Sequence, residues 1–210
     1  MHESAAQEER DTSRLEAFSD GVFAIAITLL VLELKVPKTE ESAHLGRALL
    51  AQWPAYLAFL TSFATIGIMW INHHTLFRLI RRVDHGLLVW NGLLLLGVTV
   101  VPFPTALVAE HLGGAGEKVA VLVYCGMYLF VAIAFNGLWR YASAPDRKPR
   151  LLRVPHTDPA VLEIHARYRF GPAIYAAAMF AAWLSPPTAV AITLALAVFF
   201  ALPHRSDAAR

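Results

Sequence analysis

The sequence predicts an all-α membrane protein of six transmembrane helices with both termini in the cytoplasm. Three observations carry this. Apolar residues make up 57% of the 210-residue chain and charged residues only 16%, with a mean hydropathy of +0.50. A soluble domain of this length needs more charge to cover its surface. The apolar residues fall into six runs, near 18–36, 48–71, 87–109, 118–139, 168–184 and 187–203. Runs of about 18 residues or more match a hydrocarbon core roughly 30 Å thick. Lastly, Lys and Arg divide unevenly between the connections. With an even number of spans, fourteen fall on one side, in the N-terminus, the 2–3 and 4–5 loops and the C-terminus. Four (Lys35, Lys38, Arg47 and Lys118) fall on the other. The basic side is cytoplasmic by the positive-inside rule.

The elements follow in order. Residues 1–12 are polar and expected to be a disordered cytoplasmic leader. Ser13-Arg14-Leu15-Glu16 reads as a capping box that starts the first helix, which then runs to Pro37. The membrane domain is expected over 13–204, with 205–210 a cytoplasmic tail. The first run follows an acidic, mixed leader, is too long for a signal-peptide core and lacks a small-residue cleavage site. The fifth and sixth runs are short and joined by Ser185-Pro186-Pro187, which predicts a tight helical hairpin. Residues 141–166, basic and punctuated by four prolines, read as a cytoplasmic linker.

Polar groups at membrane depth are costly and tend to have a role. Arg14, Ser19 and Asp20 open helix 1; Trp70, Asn72, His73 and His74 close helix 2; Asn91 lies early in helix 3. The topology brings all three clusters to the cytoplasmic end, where they can bond between helices. Arg14 and Asp20 are six residues apart, about 120° around the helix, so each is expected to pair with another helix. The adjacent His73 and His74 point apart and have no further ligands at metal spacing. No nucleophile elbow, phosphate loop or histidine–carboxylate constellation points to an enzyme. Nothing calls for a cofactor, a metal or nucleic acid.

In the core of helix 1, Phe18, Val22, Ile25, Leu29 and Leu32 share one face. Gly21, Ala24 and Thr28 form a second face of small residues suited to close packing. The pattern alone is ordinary transmembrane packing. The Thr-Val-Gly-Tyr-Gly filter of carbonyl-lined potassium channels is absent.

Arg14-Leu15-Glu16-Ala17-Phe18-Ser19-Asp20 matches R-x-x-x-F-S-D without substitution. On this motif the chain resembles the transmembrane protein 175 family, cation channels of prokaryotic membranes and animal lysosomes. Trp70, Asn72, His73 and His74, then Trp90-Asn91 and Pro102-Phe103, resemble that family's second and third helices. The single six-helix repeat resembles the prokaryotic form, which implies a multi-pass protein of the inner membrane. The resemblance implies a homotetramer with helix 1 lining a central pore permeable to K+. It places the hydrophobic constriction at Ile25, Leu29 and Leu32 and assigns Thr28 to cation preference. It gives Arg14, Phe18, Ser19 and Asp20 an anchoring network, with Trp70, His73 and Asn91 as partners. Modest K+ over Na+ selectivity is expected, with proton permeation also open. A proton-coupled secondary transporter, relaying through Asp20 and His73, is the alternative; such proteins usually carry repeats and broken helices near the midplane.

Overall fold

The computed structural model describes the backbone of residues 2–37, 44–146 and 150–201, and side chains from residue 7 to residue 199 within those ranges. The expected tail at 205–210 and part of the first external loop lie outside the described residues.

Helix α1 (His2–Leu29) continues as a 3-10 turn over Leu30–Glu33. Then come α2 (Leu45–Ala51), α3 (Trp53–Phe77), α4 (His85–Val100), α5 (Pro102–His111) and α6 (Glu117–Ala142). The chain ends in α7 (Pro159–Tyr168), α8 (Gly171–Leu184) and α9 (Pro186–Ala201). Four stretches are long and apolar enough to cross a membrane: 7–33, 53–77, 85–111 and 117–142. This is a multi-pass membrane protein. The third span is interrupted at Val101, because Pro102 lacks an amide proton and the run restarts there as α5. The stretches expected to be the fifth and sixth spans form α8 and α9, of 14 and 16 residues, which are not among those four. These reach only about 21 and 24 Å at 1.5 Å per residue.

Two expectations change. Residues 2–12 are helical, so α1 starts at His2 and not at Ser13. The Ser13 hydroxyl bonds back to the Glu9 carbonyl, at 2.9 Å, and caps nothing. The leader is held from outside its own sequence. Glu8 pairs with Arg81 and Arg82, each at 3.1 Å, and Glu9 pairs with Arg153 at 3.0 Å. Thr12 is buried and donates to the Arg81 carbonyl. The linker over 141–166 also gains structure. Leu152 bridges to Ile80 in antiparallel fashion, and α7 begins at Asp158, whose carboxylate accepts the Ala160 N–H.

Helix α6 organises the bundle, packing against α4, α5, α8 and α9, while α1 leans on α3 and α4. Half of the apolar window of α6 is buried, against 22% for α1. Helix α1 is therefore the least enclosed of the four long spans. Close contact between α4 and α6 depends on Gly137, where a Cβ would lie 2.1 Å from the Trp90 ring. Gly137→Ala should push these helices apart and cost about 1–3 kcal/mol, as overpacking does. Thermal unfolding in detergent reads this, and an unchanged midpoint would mean Trp90 swings aside freely.

Candidate functional site

Helix α1 has two unlike faces. Ser19, Phe23, Ala26 and Leu30, spaced by four, three and four, are all at most 1% exposed. They bury the helix against α3 and α4. On the other side Arg14, Phe18, Gly21, Ala24, Ile25, Thr28, Leu29 and Leu32 are exposed. Phe18, Ile25 and Leu32 are 64%, 60% and 66% exposed, far more than a packed side chain allows. The small-residue stripe, and the branched stripe except for Val22, which is half-buried against the core, thus look away from the protomer. Of the buried stripe on the opposite side, only Ser19 was singled out in the sequence.

What holds this rotation is a buried hydrogen-bonded chain. Asn91 Nδ2 donates to Ser19 Oγ at 3.0 Å, and Ser19 Oγ donates to the Leu15 carbonyl at 2.8 Å. Asn91 Oδ1 lies 2.9 Å from His73 Nε2. Because the amide oxygen can only accept, His73 carries its proton on Nε2. The imidazole is fully buried, stacked on Phe77 at 4.2 Å and tilted against Phe23 at 5.4 Å. Its Nδ1 has no hydrogen-bond partner among the described residues. Three helices meet in one short polar chain inside an apolar core.

A second, more open layer lies beside it. Trp70 Nε1 donates to Asp20 Oδ1 at 2.9 Å, and His74 Nδ1 lies 2.8 Å from Glu16 Oε1. The His74–Glu16 pair was not anticipated, since Glu16 reads in sequence as a capping residue. Arg14 and Phe18 do not join either layer. Both are exposed on the outward face of α1, and Arg14 makes no hydrogen bond or ion pair among the described residues. The reason is angular: they sit roughly opposite the Ser19–Phe23 stripe at 100° per residue. Thr28 is exposed too, its hydroxyl donating to the Ile25 carbonyl at 2.8 Å.

Sequence reasoning missed a further buried polar group deeper in the bundle. Ser62 Oγ lies 2.8 Å from Thr105 Oγ1 and 3.1 Å from the Tyr124 hydroxyl, linking α3, α5 and α6. The signal available was hydroxyls inside apolar runs. At the opposite end, Lys35 and Glu110 form an exposed ion pair that ties the end of the 3-10 turn to α5.

The family model for the endosomal/lysosomal potassium channel TMEM175 matches residues 14–102. A potassium channel of Chamaesiphon minutus is 52% identical over 205 residues, covering 97% of this chain and 98% of that one. The chain belongs to the TMEM175 family. A potassium channel of Streptomyces collinus is 42% identical, covering 90% of this chain and 91% of that one. Rat endosomal/lysosomal proton channel TMEM175 is 35% identical over 64% of this chain, which spans 29% of it. The fold also matches a crystal structure described as a lysosomal potassium-selective channel TMEM175 homolog from Chamaesiphon minutus. There the TM-score is 0.82 at 49% identity, covering 91% of this chain and 97% of the other. Membership in a family of ion channels sets the protein outside the enzymes.

The two polar layers should differ in weight. Asn91→Ala leaves the buried His73 N–H without its acceptor and should cost about 1–3 kcal/mol. Trp70→Phe removes a more open bond and should cost under about 1 kcal/mol. Unfolding of the two variants in detergent compares them; equal losses would contradict the ranking.

Proposed function

We propose that this protein is a potassium-permeable cation channel, a homotetramer in which α1 lines a central pore. One observation carries the reading. The outward face of α1 presents Ile25, Leu29 and Leu32 in a line, while its opposite face is fixed by burial. The match to channels from Chamaesiphon minutus and Streptomyces collinus over nearly the whole chain supports the same reading. In this arrangement α8 and α9 are the fifth and sixth spans, short and packed on the outer side of α6. Both termini and the arginine-rich loops lie in the cytoplasm, and the membrane is the prokaryotic inner membrane.

Four copies of Ile25, Leu29 and Leu32 would enclose about 10 Å of pore with hydrocarbon. Water is unstable in a narrow apolar neck, so a closed neck blocks ions by dewetting. A small rotation or tilt of α1 rehydrates it. Potassium sheds its hydration water more readily than sodium, so such a neck favours K+ modestly without carbonyl ligands, and protons can also pass. Thr28, with Gly21 and Ala24, gives neighbouring copies of α1 a small-residue face for close approach. Arg14 and Phe18, free of the protomer's own network, stand where the next copy would meet them. The proton-coupled transporter alternative has no counterpart among these relatives, and α1 runs unbroken past Asp20.

Purified protein in liposomes under a K+ gradient should pass K+ without a proton gradient. Flux at background, or flux that saturates and demands a proton gradient, contradicts the channel. Ile25→Asn should wet the neck, raise K+ flux several-fold and narrow the K+/Na+ ratio. Unchanged currents would remove Ile25 from the constriction.

A further inference from the structure

Two neighbouring cavities on the flank of the bundle, one apolar and one basic, together make an amphiphilic cleft lined in common by Asn136 and Tyr168. The inner one is a narrow, partly open cavity of about 50 Å³ between α3, α6, α8 and α9. Met69, Val131, Phe135 and Ala197 give it an almost wholly apolar lining, and no residue of α1 contributes. The outer one, about 240 Å³, lies between the end of α6 and α7. Its lining includes Arg140, Arg169 and His165 and no carboxylate. Asn136 and Tyr168 line both, so the basic mouth adjoins the apolar body.

The shape follows from the local sequence. Helix α7 turns Val161, Ile164 and Tyr168 inward and leaves Leu162 and Phe170 exposed beside its basic residues. That pattern suits a helix lying at the membrane–water boundary. Arg167 donates to the Phe199 carbonyl and ties this end to α9. The Arg169 guanidinium lies over the Phe170 ring, at 4.2 Å. The His165 ring packs against Trp139 at 5.5 Å. Burial, then the neighbouring Arg140 charge, lowers the His165 pKa, so the positive charge at the mouth is carried by the two arginines.

We propose that this cleft is a binding site for an anionic phospholipid, with its phosphate at Arg140 and Arg169 and an acyl chain in the apolar cavity behind Tyr168. Charge and hydrocarbon complementarity select this occupant. An uncharged lipid leaves two arginines at the mouth unanswered, and a soluble phosphate leaves the apolar body unfilled. Basic pockets between transmembrane helices are a recurrent form of lipid headgroup site. The inference stands on the membrane location alone and does not require the channel reading.

The test is native mass spectrometry of the purified assembly in detergent, titrated with phosphatidylglycerol or with phosphatidylcholine of the same chains. Phosphatidylglycerol should be retained about tenfold more strongly, from two favourable arginine contacts. The double variant Arg140→Gln/Arg169→Gln, altered only at exposed positions, should erase that preference while unfolding at the wild-type temperature. Ala197→Phe, which fills the apolar body, should weaken retention of both lipids. Equal retention of the two lipids by the wild type, or a preference that survives the double variant, overturns the proposal. So does displacement of phosphatidylglycerol by millimolar inorganic phosphate, which would make this a soluble-anion site.

Discussion

Asn91 accepts from His73 and donates to Ser19, and this short chain sets the angle at which α1 meets the rest of the protein. A helix in hydrocarbon gains little from hydrophobic burial, because lipid tails are as apolar as leucine. Its rotation must be fixed by directional bonds and close packing. Turning α1 by one residue, about 100°, would take Ser19 from Asn91 and leave the His73–Asn91 pair short of a partner. Phe23, Ala26 and Leu30 then continue the buried line that Ser19 begins. The outward face is what remains, and its composition, from Arg14 to Leu32, is therefore a consequence of the inward one.

This constraint links the polar cluster to the proposed neck without placing the cluster in the proposed ion path. The imidazole and amide sit on the far side of α1 from Ile25. They act on the outward face only through the helix's orientation. Farther along, Glu8 and Glu9 clamp the first turns of the same helix to Arg81, Arg82 and Arg153. Helix α1 is thus held at its start by ion pairs, near its middle by the Asn91 chain, and at its far end through Lys35 and Glu110.

Much of this was legible in the sequence, and the limits have physical causes. Apolar run lengths located the four long spans, and polar residues within them marked the three helix ends that meet. The R-x-x-x-F-S-D motif identified the family. The motif does not say which of its members point inward. Ser19 and Asp20 bond to other helices while Arg14 and Phe18 face out, because at 100° per residue one seven-residue stretch covers nearly two turns. The helical leader was hidden because its stabilising partners lie about 70 and 140 residues away in sequence. Helix α7 was masked by the prolines and charges around it, although Asp158-Pro159 is a serviceable helix start. The fifth run begins at Tyr168, the last residue of α7, whereas α8 starts only at Gly171, so apolar composition there extends past the helix.

The account's central claim is that the outward face of α1, and not its buried stripe, meets copies of itself around a pore. Site-directed disulfide cross-linking in native membranes addresses it directly, in a Cys125→Ser background that removes the single natural cysteine. Single cysteines at Ile25 or Leu29 should cross-link protomers on mild oxidation, whereas cysteines at Phe23 or Ala26 should stay monomeric on gels. Cross-linking at Phe23 with none at Ile25 would contradict the account.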